Sequence, residues 1–226
     1  MPIELRIPFT GGPIPAVAGL LDNPTGRATP ILFAHGAGVD MTSDFMRDVA
    51  ACLAELGHPV LRFRYPYMER MANGETRRPP DRMPVLEPCH LAAAMTLMER
   101  TDGRSPIFCG KSMGGRVGSH LARAGVRCRG LAFFGYPLHP AGKPHKLRDG
   151  HFGELDLPAL FLQGTRDKLA ELDLLDKSLE MYAGEATLQI IEGANHGFQV
   201  LKAQNQTDIE VRSDLASRVH TWSETL

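Results

Sequence analysis

Residues 109–122 read Cys109-Gly110-Lys111-Ser112-Met113-Gly114-Gly115-Arg116-Val117-Gly118-Ser119-His120-Leu121-Ala122. An apolar run, Ile107-Phe108-Cys109, leads in, and a helix-compatible pattern of Val117, Leu121 and Ala122 leads out. Between them Gly110-Lys111-Ser112-Met113-Gly114 fits G-x-S-x-G. That pattern marks a sharp strand-to-helix turn that lifts a serine above the edge of a sheet. Gly110, Gly114 and Gly115 leave room for the incoming strand and outgoing helix to approach. The helix N-terminus beneath Ser112 favours negative charge developing there. Ser112 is thus a candidate nucleophile; the plainer alternative is a serine that only caps a helix.

Outward from this turn, short apolar runs alternate with amphipathic segments. Strand-like stretches fall near 3–9, 15–22, 31–35, 60–65, 106–109, 129–135, 160–163 and 187–191. Helical patterns fall near 43–57, 85–100, 113–124, 169–181 and 208–222. Residues 66–84, rich in Pro, Arg and Gly, read as a long loop, and 136–158 as another. The first two strands join through a Gly-Gly-Pro turn and read as an antiparallel hairpin. The alternation beyond them predicts a mostly parallel sheet with helices on both faces. We expect a single domain over 1–226 with a minimal cap or none, since 136–158 is too short for more than a small lid.

A serine hydroxyl needs a base. Among nine histidines, His196 follows the last strand in Gly193-Ala194-Asn195-His196-Gly197-Phe198. That is the carboxyl edge of the sheet, where open α/β folds place their sites. A structural loop histidine is the alternative. Asp167, at the end of another strand in Gln163-Gly164-Thr165-Arg166-Asp167, is the candidate to orient the imidazole; it also suits a helix N-cap. The order Ser, Asp, His along the chain differs from both serine-protease orders. Acyl transfer further needs donors for an oxyanion. The expected pair is the N–H of Met113 and that of Ala37, in the loop His35-Gly36-Ala37-Gly38.

Other chemistries are poorly supported. Gly36 and Gly38 lack the remaining glycine of a dinucleotide fingerprint. Gly110-Lys111-Ser112 has Ser105 where a phosphate loop needs glycine. No histidine and acid cluster has metal-ligand spacing, so no cofactor or metal is expected. With 25 Lys and Arg against 26 Asp and Glu, formal net charge is -1, which argues against a nucleic-acid partner. Four scattered cysteines, Cys52, Cys89, Cys109 and Cys128, read as free structural thiols. The chain opens without a signal-like n-region and shows no apolar run of membrane-spanning length. A cytoplasmic protein without a membrane partner is the expectation.

Six ordered blocks carry a resemblance: HGAG at 35–38, FRYPY at 63–67, GKSMGG at 110–115, GYPLHP at 135–140, GTRD at 164–167 and GANHGF at 193–198. Over almost its whole length the chain resembles the α/β-hydrolase superfamily. It looks most like the dienelactone-hydrolase-related group that includes testis-expressed hydrolase-like proteins and a chromatin-complex subunit. The resemblance implies a three-layer fold with an eight-stranded sheet in the order 1-2-4-3-5-6-7-8 and strand 2 antiparallel. It also implies Ser112, Asp167 and His196 as a triad. Dienelactone hydrolases proper use a cysteine where this chain has Ser112, so their substrate does not carry over.

The expected reaction is cleavage of an ester or thioester through an acyl-enzyme. The alternatives are a non-catalytic binding or scaffold protein on the same fold, and a peptidase or acyltransferase with the same residues. Residues 62–82 carry Arg62, Arg64, Arg70, Arg77, Arg78 and Arg82 against Glu69, Glu75 and Asp81. That excess fits an anionic small-molecule or acyl substrate; arginines paired with local acids are the alternative. His35, Gly36, Tyr65, Lys111 and His139 are the candidates to border the substrate pocket. For Lys111 the sequence offers two fates, anchorage by a carboxylate near the site or reach into solvent. A homodimer is compatible with the sequence.

Overall fold

The computed structural model describes all residues, 1–226. Eight strands form one sheet: β1 (Ile3–Pro8), β2 (Ala16–Asp22), β3 (Ile31–Ala34), β4 (Val60–Phe63), β5 (Ile107–Lys111), β6 (Gly130–Phe134), β7 (Ala159–Gly164) and β8 (Ala186–Ile191). Their spatial order is β1-β2-β4-β3-β5-β6-β7-β8. β2 runs antiparallel to both β1 and β4, and every pairing from β4 to β8 is parallel. The mostly parallel sheet with an antiparallel first hairpin is what the residue pattern led us to expect, and the strand order is the one the resemblance implied.

Side chains on a strand alternate between faces, and here each face meets its own core. Leu32, Phe108, Leu131, Phe133 and Phe161 point into one apolar cluster. Ile31, Phe33, Cys109, Ala132 and Phe134 point into the other. α3 (Met83–Arg100), α4 (Met113–Arg123) and α5 (Leu172–Leu179) cover the first face. α1 (Asp44–Glu55) and α6 (Asp208–Ser223) cover the second and pack on each other. Strands buried on both sides read as continuous apolar runs, which is why β3, β5, β6 and β7 are legible as short hydrophobic bursts. Each fully buried large side chain contributes roughly 1.5–3 kcal/mol relative to exposure. No helix is long and apolar enough to cross a membrane.

The expected loop at 66–84 is only partly a loop. Residues Pro66–Ala72 form a helix, α2. Pro66 occupies its first turn, with Tyr65 in extended backbone before it. Proline there needs no N–H partner and already has helical φ, so it starts a helix instead of breaking one. α5 is shorter than expected at its N-terminal end: 169–171 form the approach to the helix. Between β6 and β7 there is no helix beyond one 3-10 turn at Phe152–Glu154, so no cap domain stands over the carboxyl edge of the sheet.

Candidate active site

β5 ends at Lys111, and α4 begins at Met113. Ser112 alone makes the turn, with φ 52 and ψ -114. A non-glycine residue with positive φ stores strain and persists only when its surroundings enforce it. The glycines supply that enforcement. A methyl group on Gly110 would collide with the backbone nitrogen of Gly115, and one on Gly114 with the carbonyl oxygen of Ala34. On Gly115 it would stand 2.8 Å from the Phe133 ring.

His196 is carried by a tight loop after β8. Asn195 builds it: its Oδ1 accepts from the N–H groups of Gly197 at 2.9 Å and Gln199 at 3.0 Å. The loops after β7 and β8 are stitched together, with Arg166 N–H donating to the Ala194 carbonyl at 2.9 Å. A side chain on Gly164 would clash with that same carbonyl, so its bareness lets the two strand ends close on each other.

The three candidate residues meet. His196 Nε2 lies 2.9 Å from Ser112 Oγ, and Nδ1 lies 2.7 Å from Asp167 Oδ2. The Asp167 side chain is 1% exposed and that of His196 is 29% exposed. The imidazole therefore faces solvent while the carboxylate is shielded. Asp167 Oδ1 accepts from Leu169 N–H at 2.8 Å, and Oδ2 also from Gln163 Nε2 at 2.6 Å. Gln163 Oε1 in turn accepts from Tyr136 N–H at 2.9 Å.

Gly36 packs against the turn at Ser112: a methyl there would stand 3.5 Å from Ser112 Cβ and 3.3 Å from the Lys111 carbonyl oxygen. Ala37, next along, is exposed. Neither its N–H nor that of Met113 donates to any group in the chain. Both are therefore free to donate to a bound oxygen.

The pocket candidates fare differently. Tyr65 does not border a cleft. It is fully buried, its hydroxyl lies 2.9 Å from His90 Nδ1, and its N–H donates to His35 Nε2 at 3.0 Å. His35 is equally buried, with Nδ1 2.9 Å from the Gly36 carbonyl. Burial pushes its imidazole down to about 4, so it serves as a neutral strut under the loop. His139 is 1% exposed, and Glu171 N–H donates to its Nε2 at 3.1 Å. These three were expected at the pocket because the sequence locates them near the carboxyl edge but does not show depth. Tyr67 is also buried, at 1% exposure, with its hydroxyl donating to the Gly36 carbonyl at 3.3 Å, and it backs a cleft of about 430 Å³ lined by Ala37, Gly38, Met71, Arg77 and Arg78.

Most of the arginine excess is spent inside the chain. Arg62 pairs with Asp22, Arg64 with Asp40 and Glu69, and both Arg70 and Arg78 with Glu75. Arg77 reaches the cleft without a carboxylate partner. Lys111 takes neither expected fate in full: it is 7% exposed, and its ammonium donates to the backbone carbonyl of His196 at 2.5 Å.

Three contributors escaped the sequence reading. Gln163 carried a signal, as the one polar side chain in the apolar strand Ala159–Gly164. Asn195 carried a weaker one, as a turn former beside His196. Gly135, with φ 72, opens the GYPLHP block, but nothing in the sequence tells that a methyl there would stand 3.4 Å from both Asp167 Oδ2 and His196 Nδ1.

The alpha/beta hydrolase domain family matches residues 27–224. The chain belongs to that family. Among solved structures, this alpha/beta hydrolase is similar to a dienelactone hydrolase from Anabaena variabilis, with TM-score 0.76 and 20% identity over 99% of this chain and 98% of the other. It is also similar to a lidless α/β serine hydrolase from Xanthomonas campestris, with TM-score 0.70 and 20% identity over 98% and 94%. An esterase domain from Rhodothermus marinus matches with TM-score 0.73 and 14% identity over 100% and 98%. At these identities the likeness is one of fold.

Proposed function

We propose that this alpha/beta hydrolase is a serine hydrolase that cleaves a carboxylic ester or thioester through an acyl-enzyme. The observation that carries the reading is the hydrogen-bonded chain from Ser112 Oγ through His196 to Asp167, with contacts of 2.9 and 2.7 Å. Both distances lie in the range a general base needs.

In this reading His196 Nε2 takes the Ser112 proton as Oγ attacks the substrate carbonyl carbon. The N–H groups of Met113 and Ala37 hold the resulting oxyanion. Asp167 keeps Nδ1 protonated and stabilises the imidazolium. The imidazolium then protonates the leaving alcohol or thiol, and the acyl group stays on Oγ. Water, deprotonated by the same imidazole, attacks the acyl carbon and releases the acid. A cleft lined by both Ala37 and Arg77 supports the further reading that the substrate is anionic.

The test is a panel of p-nitrophenyl esters, thioesters and peptide amides, with a fluorophosphonate probe, on wild type and Ser112→Ala. Turnover and labelling that vanish in Ser112→Ala support the reading. A folded wild type that neither labels nor turns over any member would favour a non-catalytic role for the same scaffold.

A further inference from the structure

We propose that Lys111 is a positioning residue for the reaction at Ser112: its buried ammonium, clamped on the His196 carbonyl, fixes the loop that presents the imidazole and places a cation beside the Asp167–His196 pair. The inference rests on the serine-hydrolase reading above and adds a residue to it.

The side chain's direction follows from strand parity. Ile107 and Cys109 point toward the face covered by α1 and α6, and Lys111, two residues on, points the same way. An apolar residue would be ordinary there. Instead an ammonium lies 5.3 Å from the ring centre of Phe198 and 5.9 Å from that of Phe45. Those two rings stack on each other at 5.7 Å. The contact to the His196 carbonyl, at 2.5 Å, is the ammonium's one hydrogen bond within the chain.

Gly135 shows how close the charged groups come. A methyl on it would stand 3.3 Å from Lys111 Nζ, 3.4 Å from Asp167 Oδ2 and 3.4 Å from His196 Nδ1. The three polar heads therefore converge on one bare backbone position at the end of β6. Arg212 of α6 lines the same small cleft as Lys111 and is held by Asp48 and Asp208. The titratable and charged groups that face Lys111 are thus Asp167, His196 and the paired Arg212; α1 presents the Phe45 ring. Burial pushes the ammonium down to about 8, against the pull of Asp167.

Burying an ammonium on a single carbonyl and two ring faces costs the fold stability. Cation–π contact returns part of that cost. A residue kept against its own local energetics is expected at sites of function. A purely structural lysine here could be replaced by an apolar side chain of similar length with no loss.

The experiment compares wild type, Lys111→Met and Lys111→Arg on p-nitrophenyl acetate from pH 6 to 9.5, with spontaneous hydrolysis subtracted. Fluorophosphonate labelling rates and Tm are measured alongside. Lys111→Met is expected to lower kcat about 10- to 100-fold, the scale of a small misplacement of a reacting group, with KM little changed. Its Tm is expected to match or exceed that of wild type. Wild-type kcat is expected to decline on the alkaline side with a midpoint near 8, as the ammonium loses its proton. That decline should be absent in Lys111→Met and displaced upward in Lys111→Arg, which also recovers part of kcat. Wild type that labels at Ser112 while Lys111→Met keeps the same kcat and pH profile overturns this inference alone. So does a wild-type profile that stays flat from pH 7 to 9.5, even if Lys111→Met fails to fold. A wild type that neither labels nor turns over removes the serine-hydrolase reading and this inference together.

Discussion

Gln163 Nε2 donates to Asp167 Oδ2 at 2.6 Å, the same oxygen that faces His196 Nδ1. Gln163 is fully buried and receives the Tyr136 N–H on its other end. One amide thus joins the end of β6 to the Asp167 carboxylate. Replacing it by leucine strands the buried Tyr136 N–H and removes one of the three contacts that hold the carboxylate. We expect Gln163→Leu to lose about 1–3 kcal/mol in urea unfolding, the cost of an unmade buried hydrogen bond. We also expect kcat to fall about tenfold or more on p-nitrophenyl acetate. Unchanged stability with unchanged kcat would show that the amide supports neither.

The turn at Ser112 depends on missing side chains. Gly114→Ala is expected to destabilise by at least about 1–3 kcal/mol, because the colliding partner is the Ala34 backbone and cannot swing aside. Gly150→Ala is the control: nothing lies within 4 Å of a methyl there. Thermal melts should show a clear loss for the first and a shift near zero for the second. Equal Tm values for the two would mean the turn relaxes freely.

Acid should weaken the fold through its buried imidazoles. Burial pushes His35 down to about 4 and His90 to about 3. The unfolded chain binds these protons near 6.5. Between the two ranges the unfolded state holds more protons, so stability falls as pH drops below about 6.5. Each imidazole contributes a slope on the order of 1 kcal/mol per pH unit. Urea midpoints from pH 7.5 to 4.5 check this, and His90→Met should flatten the slope. An unchanged slope in that variant would mean His90 takes up its proton without unfolding.

Arg77 is the arginine at the cleft without a carboxylate of its own. If it draws in anionic substrate, kcat/KM for a carboxylated ester should exceed that for its neutral analogue and fall as salt rises. Arg77→Ala should remove both the preference and the salt effect while sparing the neutral ester. Equal kcat/KM values at all salt concentrations would count against any steering.

The layered fold is readable because its central strands, β3 to β7, are short apolar runs between glycine and proline punctuation, and α1, α4 and α5 keep a 3.6-residue rhythm. The convergence of Ser112, Asp167 and His196 was readable for a related reason: each stands just past a strand, and parallel strands deliver their ends to one edge. Depth was not readable. Tyr65 and Tyr67 lie two residues apart in one motif and both are buried, yet only Tyr67 stands behind the wall of the cleft beside Ala37. What separates them is the start of α2 at Pro66, a helix that the local composition concealed. Pairing was only partly readable, since Arg62 finds Asp22 and Arg212 finds Asp48 across long chain separations.

No helical cap stands over the sheet edge, and the imidazole at 196 keeps part of its surface toward solvent. An acyl group parked on Ser112 would sit within reach of bulk water, whose concentration exceeds that of any dissolved amine, alcohol or thiol by orders of magnitude. Under the proposed serine-hydrolase reading, and without a shelter that gathers a competing acceptor, such an intermediate would drain toward free acid. Turning this scaffold into a transferase would first require building a dry room around the serine.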